Sequence, residues 1–220
     1  MKTLIITGGT IETDFVKTYL ETESFDMVIA ADHGLEMAKL LDIPVNYILG
    51  DFDSLNPSIL QEVKNRIVNE NTDMVLKEFP PEKDYTDTHL AIVTAIEVGA
   101  TSVTILGATG TRIDHVFANV NLLSIFLEHQ ITAKIVDSHN QIYVIDTDTY
   151  LSKENVHGKY ISLIPYTDSV TGVTLTGFKY PLHNATLVKG ESIGISNELL
   201  EEKGIIHLKE GILMVIESRD

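Results

Sequence analysis

Through the first two-thirds of the chain, short runs of β-branched and aliphatic residues alternate with segments whose apolar positions recur every three or four residues. That is the pattern of a parallel sheet with crossover helices. The runs predict strands at Leu4–Thr7, Met27–Ala30, Asn46–Leu49, Met74–Lys77, Val103–Leu106 and Lys134–Val136. Between them, Leu35, Ala38 and Leu41 share one face of a short amphipathic helix. Asn56 is placed to cap a second helix, with Pro57 at its first position, where the missing amide donor costs nothing. Thr86 can cap a third, which Gly99 is placed to end. From about Ile113 to Glu128, the residues Val116, Val120, Leu123 and Leu127 form the stripe of a longer helix. The expected fold class is α/β, with a three-layer, parallel-sheet domain over residues 1–137.

Past Asp137 the pattern changes. The runs QIYVI, KYISLIPY, VTGVTLTGF, ATLVKG, SIGISNEL, GIIHLKEG and ILMVIES follow one another with no room for helices. Glycines at 158, 172, 177, 190, 204 and 211 punctuate them as turns. Val173 and Leu175 alternate with Thr174 and Thr176, as in a half-buried antiparallel sheet. Residues 138–220 therefore predict a smaller antiparallel β-sandwich or roll. So small a core is expected to lean on its neighbour or on a second subunit.

Charge narrows the ligand classes. With 32 acidic and 16 basic residues the net charge is −16, and no basic block interrupts it. Such a surface repels a nucleic-acid backbone and also free ATP, so a polyphosphate ligand needs a divalent cation for local attraction. The chain lacks cysteine, which excludes disulfides and thiolate metal sites. No stretch approaches the roughly 18 uninterrupted apolar residues of a membrane span. The opening MKTLIITGGTIETD reads as a first strand rather than a signal peptide, so a cytoplasmic protein is expected.

The sharpest local feature is Gly50-Asp51-Phe52-Asp53-Ser54, directly after the third predicted strand. Ligands of open α/β folds bind at the carboxyl ends of strands. Two carboxylates one residue apart can turn toward one ion there, with Gly50 letting the backbone bend and Phe52 pointing elsewhere as an anchor. Their hard oxygens suit Mg²⁺, which keeps several waters and is bridged by substrate phosphates. Alternatively the motif is a plain approach to the Asn56-Pro57 helix start. Asp32 follows the second strand, Asp84 and Asp87 sit at the head of one helix, and Asp114 begins another. A carboxylate at a helix start gains about 0.3–1 kcal/mol from the dipole, so Asp87 and Asp114 have a structural explanation each. Capping alone does not explain so many acids on one expected sheet edge. The stretch GATGTRIDH, from Gly107 to His115, leads from the fifth strand into a helix and forms a plausible phosphate cradle with Gly107 and Gly110. It lacks the lysine and hydroxyl of a Walker loop. Arg112 can bridge phosphate oxygens or pair with Asp114, and His115 can serve as a base or as a hydrogen-bonded structural residue. His33 and His89 have no partners at zinc spacing.

Taken in order, ADHG (31–34), GDFDS (50–54), KDYTDTHLA (83–91), GATGTRIDH with FANVNLL (107–123) and GISNE (194–198) resemble thiamine pyrophosphokinase across nearly the whole chain. The combination of GDFDS, TD and GxxGxRxDH is specific, whereas any one of them is weak. The resemblance implies a homodimer with a nucleotide and magnesium domain followed by a thiamine-side β-domain. It implies conversion of ATP and thiamine to thiamine diphosphate and AMP. By the same resemblance, Asp51, Asp53 and Asp87 are metal ligands, and Asp32 lies close to the cation and phosphates. Asp84 and Thr86 lie near the transferred group, while Arg112, Asp114 and Asn119 take nucleotide-side and structural positions. Ser196 and Asn197 line the thiamine pocket across the dimer. Two positions depart from the family pattern: His33 and Thr111 stand where small residues or glycine are common. Neither departure removes a carboxylate, so altered loop packing or nucleotide contacts are expected rather than lost activity.

The expected chemistry is attack on the β-phosphorus with AMP leaving, Mg²⁺ neutralising growing charge and Asp84 or Asp87 orienting the alcohol or taking its proton. The site set is therefore Asp53, Asp84, Asp87 and Arg112 for catalysis. Competing readings are a pyrophosphokinase for a pterin alcohol, a metal-dependent nucleotide-sugar transferase and a non-enzymatic nucleotide sensor.

Overall fold

The computed structural model describes residues 1–53, 55–69, 72–80, 82 and 84–220. It divides into two compact units, Met1–Ser138 and His139–Asp220.

In the first unit six parallel strands form a sheet: β1 (Lys2–Ile6), β2 (Met27–Ala31), β3 (Tyr47–Gly50), β4 (Val75–Glu78), β5 (Ser102–Leu106) and β6 (Thr132–Val136). Their spatial order is β4-β3-β2-β1-β5-β6. The order reverses beside β1, which pairs with both β2 and β5. Five helices cross between them: α1 (Thr13–Thr22), α2 (Gly34–Leu40), α3 (Pro57–Asn69), α4 (Asp87–Glu97) and α5 (Ile113–Glu128). Alternate strand residues face opposite layers. Leu4, Ile6, Val28, Ala30 and Ile48 pack with Val16, Leu35, Ala38 and Val63 from α1, α2 and α3. Ile5, Ile29, Leu49 and Ile105 are fully buried on the other face, the side of α4, which contacts β1, β2 and β3. Both faces being covered is why these strands read as continuous apolar runs.

The predicted caps are present. Asn56 Oδ1 accepts from the Ser58 amide at 3.0 Å, and Thr86 Oγ1 from the His89 amide at 3.2 Å. Gly99 follows α4 with φ +84°, the left-handed turn that a side chain resists. Strand limits move by one or two residues from expectation, as with Lys2–Ile6 and Thr132–Val136.

In the second unit β7 (Asn140–Ile145), β13 (Leu213–Ser218) and β9 (Tyr160–Pro165) form one antiparallel sheet in the order β7-β13-β9. A second sheet runs β11-β10-β12-β8, from β8 (Thr149–Ser152), β10 (Ser169–Thr176), β11 (Leu182–Val188) and β12 (Lys203–His207). Their inner residues share one core, including Leu163, Val215, Val173, Leu187 and Ile206. This is the small β-sandwich expected. Four details differ. β8 lies outside the predicted runs. SIGISNEL is not a strand, because Gly194 (φ +100°) and Ser196 (φ +55°) take left-handed conformations, leaving isolated bridges at Asn197 and Leu199. Gly204, expected at a turn, lies inside β12, where a Cβ would come within 2.3 Å of Leu199 Cδ2. Gly172 sits within β10 at a register shift, so Val170 and Val173, three apart, both point inward. No helix among the described residues is long and apolar enough to cross a membrane.

Candidate functional site

Parallel pairing brings the carboxyl ends of β1, β2, β3 and β5 to one edge, and a cleft of about 460 Å³ opens there. Its walls are Thr7 to Thr10 after β1, Ala31 to His33 at β2, Thr86 to Thr88 at the start of α4, and Gly107 to Arg112 after β5. His115, Val116 and Asn119 of α5 complete it.

The two glycine loops are held edge to edge by backbone bonds that prolong the β1–β5 ladder. Thr7 N–H donates to Leu106 O at 2.9 Å, Gly9 N–H to Gly107 O at 2.7 Å and Thr10 N–H to Thr109 O at 2.8 Å. Thr7 Oγ1 adds a bond to Gly107 O at 2.6 Å. Gly9 has no room for a side chain, since a Cβ would lie 2.2 Å from Gly107 O. The β5 loop is fixed further by Thr109 Oγ1 donating to Asp137 at 2.8 Å, and by buried Asn119, whose amide donates to Ala108 O at 2.8 Å.

Asp32 turns the chain out of β2 at φ +48°, a left-handed conformation that Asp tolerates better than most residues. Its amide donates to Leu49 O and its Oδ2 accepts from His33 Nδ1 at 2.9 Å. The hydrogen bond to Asp32 raises the His33 pKa above its ordinary value, against a smaller opposing effect of burial. Oδ1 of Asp32 is buried with no hydrogen-bond partner.

The GDFDS loop adjoins Asp32: a Cβ on Gly50 would sit 3.4 Å from the Asp32 Cα. Phe52 is 6% exposed and belongs to the core, the anchoring that was expected, at φ +58°. Asp51 and Asp53 flank it outside the core, the Asp53 amide donating to Asp51 Oδ1 at 3.2 Å. Ser54, like Lys83 of the KDYTD segment, lies outside the described residues.

The structure thus brings Asp32, Thr86, Asp87, Gly107, Gly110, Arg112 and Asn119 to one cleft, out of the residues singled out by sequence. Asp51 and Asp53 stand at the neighbouring strand end, outside its lining, and Asp84 is exposed ahead of α4. Asp114 forms a bidentate pair with Arg112, at 2.5 and 3.2 Å. That pair lowers the Asp114 pKa and raises that of Arg112. Among the described residues no three His, Cys, Asp or Glu side chains are gathered closely enough to hold an ion alone. The donor chemistry still fits Mg²⁺: carboxylate oxygens on one sheet edge, an unpartnered buried Asp32 oxygen, and an ion that takes much of its shell from water and phosphate.

Ser196 and Asn197 belong to the second unit. Asn197 is 3% exposed, and its amide is committed to the chain: Oδ1 accepts from Tyr180 N and Glu198 N, and Nδ2 donates to Tyr180 O. These bonds shape the turn that carries Ser196. Sequence reasoning passed over the Thr7 and Thr10 hydroxyls as cleft residues, while His33 and Thr111, the two departures from the family pattern, both line the cleft. A second glycine-threonine cluster, TGGT, after a strand was the available signal.

Comparison with known proteins follows the same division. Residues 18–135 match the model for the thiamin pyrophosphokinase catalytic domain, and residues 144–213 that for the thiamin pyrophosphokinase vitamin B1 binding domain. The chain is 34% identical over 223 residues to thiamine pyrophosphokinase of Bacillus subtilis, covering all of both chains. The solved structure of thiamine pyrophosphokinase from Bacillus subtilis superposes with a TM-score of 0.87 at 29% identity, again over all of both chains. That of thiamin pyrophosphokinase from Geobacillus thermodenitrificans gives 0.82 at 32% identity, over 100% of this chain and 98% of that one.

Proposed function

Because the chain belongs to the thiamine pyrophosphokinase family, we propose that the cleft at the carboxyl edge of β1, β2 and β5 is where its nucleotide is bound and split. The protein is a pyrophosphoryl transferase: the β,γ-diphosphoryl group of ATP passes to the hydroxyl of thiamine, giving thiamine diphosphate and AMP.

The observation that carries this placement is the pair of zipped glycine loops facing Asp32 and Asp87 across one cleft. Asp51, Asp53 and Asp87 would hold Mg²⁺, with Asp32 beside it. Bound there, Mg²⁺ supplies charge neutralisation for the polyphosphate in an otherwise acidic protein. The chain's own residues do the rest. The loops at Gly9 and Gly107 allow close approach of the nucleotide to backbone. Arg112, at the cleft wall, exchanges the Asp114 carboxylate for phosphate oxygens of similar geometry. Thr86 and Asp87 sit at the positive end of α4, which favours the anionic oxygens of the transferred group. Asp84, exposed just ahead of that helix, orients the alcohol or takes its proton.

For the acceptor we propose a homodimer in which the C-terminal unit of a second copy completes the thiamine pocket around Ser196. Exposed Tyr180, Ile193, Ile195 and Leu200 on that unit support an apolar contact surface. We read the enzyme as cytoplasmic, the compartment that supplies its ATP.

The test offers purified protein MgATP with thiamine, with hydroxymethylpterin or with buffer alone. Thiamine diphosphate and AMP in equal amounts are expected with thiamine. AMP formed only with the pterin, or with neither alcohol, would overturn the reading.

A further inference from the structure

We propose that His33 is a nucleotide-binding residue, its Nε2 hydrogen-bonding the nucleotide in the cleft. This rests on the cleft being the ATP site. His33 lines that cleft and its side chain is 43% exposed. Its other ring nitrogen is occupied, Nδ1 donating to Asp32 Oδ2 at 2.9 Å. No hydrogen bond is made by Nε2 among the described residues. The ring is therefore oriented by one contact and left with one polar atom for a ligand.

Its surroundings restrict the ring. Asp32 is anchored at both backbone groups, its amide on Leu49 O at 2.8 Å and its carbonyl accepting from Leu35 N–H at 3.0 Å. Gly8 is close behind, since a Cβ there would come 3.1 Å from His33 Cβ. The chemistry of the cleft selects the ligand class. The two glycine loops and the Arg112 guanidinium that line the same cleft suit a nucleotide. A ring held by a carboxylate offers its second nitrogen in a fixed direction, which suits a polar group of the nucleotide.

Three variants separate direct contact from orientation of Asp32. His33→Leu removes both nitrogens. His33→Asn keeps an N–H where Nδ1 stood, and His33→Gln places one near Nε2. Isothermal titration calorimetry with MgATP should show about tenfold weaker binding for His33→Leu and His33→Asn, near 1.4 kcal/mol, with part of the loss recovered in His33→Gln. The KM for MgATP should rise in step while the KM for thiamine holds. Wild-type MgATP affinity in His33→Leu, or full recovery in His33→Asn, would overturn the proposal. These binding results are independent of turnover, whereas a wild-type protein that makes no thiamine diphosphate would count against the cleft reading instead.

Discussion

Replacing Gly9 with alanine would put a methyl carbon 2.2 Å from the Gly107 carbonyl oxygen and 2.4 Å from that of Thr109, where ordinary contact begins near 3.4 Å. Both oxygens are backbone atoms, and both already accept hydrogen bonds across the same gap, from Gly9 N at 2.7 Å and Thr10 N at 2.8 Å. Neither can swing aside as a flexible side chain would. The loops must part by about 1 Å, the shortfall between 3.4 Å and the two distances. Two net hydrogen bonds contribute about 0.5–1.5 kcal/mol each, and forced overpacking costs about 1–3 kcal/mol. The expected loss is about 2–6 kcal/mol, a large share of a domain's typical ~5–15 kcal/mol. Urea unfolding should show it as a lower midpoint, and calorimetry should show weakened MgATP binding because the cleft wall has moved. Gly8→Ala is the control within the same loop. Its Cβ would meet His33 Cβ at 3.1 Å, and a shift of a few tenths of an ångström relieves that. Wild-type stability and nucleotide affinity in Gly9→Ala, or greater damage from Gly8→Ala, would refute the reasoning.

Asp53→Asn should lower kcat by about two orders of magnitude or more, since several kcal/mol of charge stabilisation depend on the cation. Its circular dichroism should match wild type, because Asp53 is exposed; near-normal kcat at limiting magnesium would remove it from the metal set. Asn197→Ala should lower the thermal midpoint by the equivalent of about 2–4 kcal/mol, since Tyr180 and Glu198 lose buried partners. Ser196→Ala should leave that midpoint in place and raise the thiamine KM more than the ATP KM; equal effects on both would take the second unit out of acceptor binding. By NMR titration His33 should have a pKa above its ordinary 6.5, and Asp32→Asn should bring it down. The sign for stability follows: the pair's contribution is full below about pH 6.5 and fades as pH rises through the folded-state pKa. A His33 midpoint at or below 6.5 would contradict the contact.

What was legible in the sequence is what neighbouring residues decide for one another. The cap at Asn56, the N-terminus at Thr86 and the left-handed Gly99 are local, and each is present; the expected stripe of α5 is buried at Val120 and Leu123, with Phe126 in place of Leu127. The GISNE segment shows where locality fails. Its composition reads as strand, yet Asn197 satisfies its amide on Tyr180, 17 residues earlier, and the turn is stabilised by that distant contact. His33 was legible as a departure from the family pattern, but its partner was not: the adjacent Asp32 is met only because the backbone turns at φ +48°. Arg112 had two open readings, phosphate or Asp114, and the contact present is the one to the carboxylate two residues on.

The gathering of the acids is explained by strand register rather than by any one motif. Ile6 pairs with Leu106 on one side of β1 and with Ala30 on the other, while Ala31 pairs with Leu49. Thr7, Asp32, Asp51 and Gly107 therefore each emerge within two residues of a paired position, on strands pointing the same way. Parallel order converts separations of up to 100 residues into one row along the sheet edge, about 4.8 Å per strand. An aspartate moved two residues earlier would be buried in a strand, facing a helix layer instead of a ligand. That is how a protein of net charge −16 can place several carboxylates along one edge: mutual repulsion is tolerated where they face solvent, and the proposed Mg²⁺ would relieve it.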